Sequence, residues 1–300
     1  MLKKTLLLLL VGLGTLACAK PTVVVSVLPE QTFVKKIAGD MVDVTVMVQP
    51  GGNPHTYEPK PSQMAALSKA DVYFSIGVEF EEVWLPKFKA QNKELRFVDI
   101  SEHIEKIRMS GHHHEHEDDE EHGEHEHEGD EGHGEHHHHH DGLDPHTWTA
   151  PQNVAVMAHN IFDTLTQIDP ENRERYRANL DEFLNEIAAT DAKIKAILKN
   201  VSPGTRFMVF HPAWGYFAQA YGLEEVAIEV EGKNPKPKEI IMIIDEAKEE
   251  KVKIIFAQPE FSDKSAKVIA EEAGVRVEKI SPLSADWSDN LIDMATLIAK

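Results

Sequence analysis

Three histidines stand in surroundings that suit metal chemistry. His55 lies in "PGGNPHTYEPKPSQ", where Gly51, Gly52 and Pro54 fix a backbone path that a plain surface turn does not need. His146 lies in "DPHTW", just ahead of a helical pattern, and His211 lies in "FMVFHPAWGYF", directly after an apolar strand. Cys18 is the only cysteine, so a metal site in the body of the chain must be built from His, Asp and Glu. Taken singly, each histidine also suits packing or hydrogen bonding near a strand end. Together they fall at the rim of one expected cleft. His103 in "ISEHIEKI" and His159 in "VMAHNIF" read as structural or solvated side chains.

The remaining thirteen histidines crowd one segment, residues 111–142: His112, His113, His114, His116, His122, His125, His127, His133, His136, His137, His138, His139 and His140. The segment contains no Leu, Ile, Val or aromatic residue. It is internal and acidic, which sets it apart from a purification tag. Without apolar side chains it cannot offset its ordering entropy by burial, so disorder is expected there. Its alternating His and Glu offer many weak, exchangeable ligand sets, which suits a low-affinity metal collector. A solvated linker is the plainer alternative.

Charge and length bound the rest. The formal charge is −20, but removing the segment's thirteen acids from the chain's 51 leaves 38 against 31 bases. The body is mildly acidic, which excludes a nucleic-acid or anionic-lipid surface. The opening "MLKKTLLLLLVGLGTLACA" combines a Lys3–Lys4 start, an apolar run and small residues at Ala17 and Ala19, the pattern of an export signal over residues 1–19. Cleavage after Ala19 leaves Lys20 first and places the protein in the periplasm. The alternative is lipidation of Cys18 at the outer face of the membrane, although Thr15 stands where lipoprotein signals usually carry leucine.

The elements that must position the three histidines follow a strand–helix–strand rhythm. "TVVVSVLP", "VDVTVMVQP", "ADVYFSIG" and "LRFVDI" read as strands, with helices at "PEQTFVKKIAGD", around Met64 to Leu67, and near Glu81 to Lys89. After the His-rich segment, Thr149 suits an N-cap and Pro151 a first helical turn. A longer helical pattern over 169–200 carries Tyr176, Leu180, Phe183, Ile187, Ile194 and Leu198 at three- and four-residue spacing. "RFMVF", "VAIEV", "KIIFAQ" and "VRVEKI" then alternate with helices up to a last one from Trp287. The expected fold is α/β: two open lobes with mainly parallel sheets, 20–168 and 201–300, joined by one long backbone helix. Each lobe should bury its own core, and ligands should bind in the cleft at the carboxyl ends of the strands.

"NPHTYEPKPSQ", "DPHTW" and "FHPAWGYFAQAYGL", in this order on two such lobes, resemble the metal-binding components of bacterial ABC uptake systems for zinc and manganese. The resemblance covers essentially the whole mature chain. A His- and acid-rich insertion ahead of the second histidine is similar to the zinc branch, the ZnuA-like proteins of the TroA-like superfamily. It implies that His55, His146 and His211 are the metal ligands and that a membrane permease is the partner of a monomeric binding protein. The family's fourth, usually carboxylate, position falls in "KISPLSADW", where this chain has Ser281. Asp286 is the expected substitute, with Glu58, Glu229 or water as alternatives.

Neutral imidazole suits Zn2+, which takes tetrahedral N and O ligands, whereas Mn2+ prefers more oxygen. Zinc is therefore the expected ion, with manganese less favoured and with copper and nickel also accepting imidazole. Because each imidazole must be deprotonated, affinity is expected to fall below about pH 6 to 6.5. Three histidines with an open position also describe a catalytic zinc site. No HExxH helix, Gly-x-Ser-x-Gly elbow or paired-carboxylate motif accompanies them, so a non-enzymatic protein is expected. An adhesin or extracellular zinc buffer on the same fold is the third class.

Overall fold

The computed structural model describes residues 20–110, 142–230 and 232–300. The expected export signal with Cys18 lies outside the described residues. So do the thirteen collector histidines from His112 to His140.

The first lobe is built from β1 (Thr22–Val25), α1 (Leu28–Ala38), β2 (Asp43–Val46), α2 (Pro61–Leu67), β3 (Val72–Ser75), α3 (Glu79–Gln91) and β4 (Arg96–Asp99). Its four strands are parallel in the order β2-β1-β3-β4. Val23, Val24 and Val25 of β1 are wholly buried, as expected for an inner parallel strand covered on both faces. Then come α4 (Pro151–Ile168) and the long α5 (Arg173–Leu198). The second lobe adds β5 (Thr205–Val209), α6 (Gly215–Tyr221), β6 (Leu223–Ala227), α7 (Pro237–Glu249), β7 (Ile254–Ala257), α8 (Lys264–Ala273), β8 (Arg276–Lys279) and α9 (Trp287–Ile298). Its sheet is also parallel, in the order β6-β5-β7-β8.

Two local expectations are corrected. Thr149 does not cap α4: the N-cap is Ala150 with Pro151 in the first turn, and the Thr149 hydroxyl donates instead to the His146 carbonyl at 2.9 Å. The strand expected at 226–230 begins three residues earlier, at Leu223. Gly222 adopts a left-handed conformation (φ +66°) that closes α6 and turns the chain straight into β6. Five residues of β6 then pair with β5, and Glu229 is left beyond the strand end.

The 26 residues of α5 span about 39 Å at 1.5 Å per residue. Its buried stripe runs from Tyr176 through Leu180, Phe183, Ile187 and Ile194 to Leu198, and it packs on α1, α4 and α9. The last of these contacts changes the expected picture of two separate cores. Although α9 follows the second sheet, it folds back so that Trp287 meets Phe33 edge-on at 5.6 Å. Thr190 and Ser288 hydroxyls meet at 2.5 Å, and Thr32 donates to the Ala285 carbonyl at 2.8 Å. One contiguous core therefore runs through both lobes, and only the layer under α7 and α8 forms a second cluster.

The chain leaves the described part of the first lobe at Ser110 and re-enters it at Gly142. These two ends lie side by side: Arg108 and Leu143 form an antiparallel bridge, and Asp144 N–H donates to the Ile107 carbonyl at 2.8 Å. Tyr216 of α6 seals the junction by donating to the Asp144 carbonyl at 2.8 Å.

Candidate metal centre

The three motif histidines reach one point from three segments. His55 sits in the loop after β2, in a single helical turn over Pro54–Thr56 that Asn53 initiates by accepting the His55 N–H at 2.9 Å. Glycine suits the approach, since a Cβ on Gly52 would lie a tight 3.0 Å from the Gln49 carbonyl oxygen. His146 follows an Asx turn in which Asp144 Oδ1 accepts the His146 N–H at 2.8 Å. His211 lies two residues past β5, clamped by Gln258, which accepts its N–H at 2.8 Å and donates to its carbonyl at 2.7 Å. All three belong to loops at the carboxyl ends of strands or just ahead of a helix, where an open α/β fold presents its ligands.

One ring nitrogen from each histidine lies within 4.8 Å of the other two. The His55 and His211 ring centroids are 4.3 Å apart, those of His146 and His211 5.2 Å, and those of His55 and His146 6.1 Å. Phe261 stacks on His211 at 4.9 Å, and Trp148 meets His146 edge-on at 5.3 Å. The cluster is thus walled by aromatic rings that limit water on its inner side.

Each imidazole has its own carboxylate. His55 Nδ1 lies 2.8 Å from Glu79 Oε2, His146 Nδ1 2.8 Å from Asp144 Oδ1, and His211 Nδ1 2.8 Å from Glu229 Oε1. A carboxylate holding Nδ1–H fixes the tautomer, so the lone pair resides on Nε2 and points away. The geometry leaves three Nε2 atoms as the donors facing one another. His211 Nε2 is buried and has no hydrogen-bond partner, an orphaned acceptor that a metal ion would satisfy.

Burial keeps the His211 donor neutral. Burial pushes the His211 imidazole down to about 4, against the upward pull of Glu229, so it offers a lone pair at any pH near neutral. Burial raises Glu79, but the His55 hydrogen bond and the nearby imidazoles outweigh it and carry the carboxyl down to about 2. A zinc ion bound at 2.0–2.1 Å would bring tetrahedral nitrogens to about 3.3 Å of one another, a modest contraction of the observed cluster. Three imidazoles, each backed by a carboxylate, fit a borderline-soft divalent cation.

The other expected residues fall elsewhere. Asp286 is exposed as the N-cap of α9 and does not join the cluster, because the cap position turns its side chain to solvent. Ser281 donates its hydroxyl to Glu260 and accepts Leu283 N–H at 3.0 Å, and Glu58 is exposed. Glu229 contributes by orienting His211 rather than from the ligand position considered for it. His103 and His159 are exposed. Sequence reasoning missed Glu79 and Asp144; the second was within reach, since an Asp two residues ahead of a histidine readily forms an Asx turn onto it. Glu79 is 24 positions from His55 and carried no such signal.

Comparison with known proteins shows which family shares this fold. Residues 23–300 match the family described as "ZnuA: Zinc-uptake complex component A periplasmic". The "High-affinity zinc uptake system protein ZnuA" of Paracoccus denitrificans is 35% identical over 291 residues, which cover 92% of this chain and 89% of that protein. The "Zinc-binding protein AdcA" of Streptococcus pyogenes is 29% identical over 272 residues. That alignment takes in 89% of this chain but 51% of AdcA, so the chain spans about half the length of the curated AdcA relatives it matches. A solved structure titled "Crystal structure of ZnuA" superimposes with a TM-score of 0.80 at 39% identity, covering 93% of this chain and 98% of the other. The family match runs from the first strand to the last helix and takes in both lobes and all three clustered histidines, so the chain belongs to the ZnuA family.

Proposed function

We propose that this chain captures Zn2+ outside the cytoplasm and hands it to the permease of an ABC transporter for import. The ion is its cargo, held one per chain by the Nε2 atoms of His55, His146 and His211. The observation that carries the reading is the orphaned, buried His211 Nε2 facing two other imidazoles, each locked by a carboxylate through Nδ1. The all-nitrogen donor set favours zinc over manganese. No described helix is long and apolar enough to cross a membrane, which fits a protein that meets its permease by docking. The chain acts as a monomer with no chemistry of its own. It resides in the periplasm, free or tethered through Cys18, and its 111–142 segment gathers ions for the cleft.

Competition calorimetry on His55→Ala, His146→Ala and His211→Ala proteins tests the assignment. Each replacement is expected to weaken the tight site at least a hundredfold while leaving the fold intact. Unchanged tight-site affinity in all three variants would sink the proposal.

A further inference from the structure

The segments that carry His146 and His211 meet at a contact that leaves no room for a side chain. Gly215 opens α6, four positions after His211. A Cβ built on it would lie 2.8 Å from Asp144 Oδ2 and 3.2 Å from Ile107 Cδ1, the first well inside ordinary non-bonded contact. Gly215 is not among the glycines with a positive φ, so its backbone does not call for glycine. Alanine would also be the better helix former. The close approach of Asp144 is the reason that remains.

Neither side of this contact gives way easily. Asp144 is 1% exposed, and its Oδ1 accepts the His146 N–H and holds His146 Nδ1, both at 2.8 Å. Its N–H donates to the Ile107 carbonyl and its carbonyl accepts the Tyr216 hydroxyl, again at 2.8 Å. A shift of Asp144 therefore carries His146 with it. On the other side, Gln258 grips the His211 backbone, and Glu225 accepts the N–H groups of Ala213 and Trp214 at 3.0 and 2.8 Å. The second oxygen of Glu225 accepts the Ser110 hydroxyl at 2.9 Å, which ties this segment back to the first lobe. His211 and Gly215 thus form one braced edge, Asp144 and His146 form another, and the two edges touch at Gly215.

We propose that Gly215 is a specificity-determining position of the metal site: lacking a side chain, it lets Asp144 seat His146 at the distance from His211 that a small tetrahedral ion requires. The inference rests on the three-histidine site described above. The clustered ring nitrogens, within 4.8 Å of one another, must contract to about 3.3 Å around zinc. A methyl group at position 215 would push Asp144 outward, and His146 with it, against that contraction. A larger ion that also accepts imidazole, such as Cd2+, needs less of it. Where one donor set suits both ions, geometry is what separates them.

The test is the affinity for Zn2+ and for Cd2+, by chelator competition, of the native protein, Gly215→Ala and His211→Ala. Gly215→Ala is expected to lose about tenfold or more in zinc affinity and less than about threefold in cadmium affinity, so that the preference for zinc shrinks. Unchanged affinities overturn the inference, and so do equal losses for the two ions, since a merely structural defect weakens both alike. Crystal structures of the native protein loaded with each ion decide the matter even where the variant fails to fold. Asp144 should stay against Gly215 with zinc and draw back from it with cadmium; an identical contact in the two overturns the inference. His211→Ala separates the two levels: if it abolishes tight binding while Gly215→Ala keeps the zinc-to-cadmium ratio, only the role of Gly215 falls, whereas tight binding retained in His211→Ala removes the site itself.

Discussion

At the scale of the residue, the centre is a set of histidine–carboxylate pairs, and the pairs do different work from the ligands. Glu229 and Asp144 are buried and touch imidazole Nδ1 atoms, so removing either frees a ring to rotate and to change tautomer. Glu229→Ala is expected to lower zinc affinity by roughly 10- to 100-fold without abolishing it, as competition with a chromophoric chelator would show. Protonation behaves differently from the expectation for free histidine. His211 stays neutral down to about pH 4, so a loss of binding as pH falls through 6 is not caused by His211. The three ligands were legible because each sits in a short motif after a strand or before a helix. Of their carboxylate partners only Asp144 lay within reach, since Glu79 and Glu229 meet their histidines only once each lobe's own parallel sheet brings separate strand ends together.

At the scale of the element, buried acids tie strand ends to helices. Glu81 of α3 accepts the N–H groups of Ile76 and Gly77 and the hydroxyl of Ser26, joining the ends of β1 and β3. Glu225 of β6 accepts the N–H groups of Ala213 and Trp214 at 3.0 and 2.8 Å, fixing the start of α6 just beyond His211. Burial pushes Glu81 up to about 7; burial, helped by the charge of Asp144, pushes Glu225 up to about 8. The folded protein therefore keeps protons that the unfolded chain releases near pH 4.5, and these two groups make stability fall as pH rises toward 8. His211 acts oppositely, but only between about 4 and 6.5, where the unfolded imidazole takes up a proton and the folded one does not. Between pH 6.5 and 8 His211 no longer contributes, so Glu81 and Glu225 together should cost the metal-free protein roughly 2 kcal/mol. Thermal melts should show a midpoint several degrees lower at pH 8, and Glu225→Gln should flatten that dependence. Strand and helix order was legible from apolar runs and spacing. The early start of β6 was not, because it depends on one left-handed glycine whose conformation no hydrophobic period reports.

At the scale of the whole molecule, the fold-back of α9 decides how much the lobes can move. Trp287, Leu291, Met294 and Ala295 are buried in the core that α1 and α5 share, so opening the cleft widely would expose them to water. Zinc should leave the radius of gyration in solution unchanged, with hydrogen exchange slowing mainly in the loops around His55, His146 and His211. Trp287→Ala is expected to destabilise the protein by about 3–5 kcal/mol, read from denaturant unfolding. Two α/β lobes were evident from the sequence rhythm; their common core was not, since nothing in the pattern of α9 says which lobe its apolar face will meet. Deleting residues 111–140 should remove weak zinc binding and keep one tight site, and equal zinc stoichiometry before and after would contradict a collector. The antiparallel bridge between Arg108 and Leu143 makes that deletion structurally mild. It acts as a collar on the chain: what the centre experiences is set at the collar, and the insert beyond it is free to lengthen, shorten or change composition over evolution without renegotiating the geometry of His146.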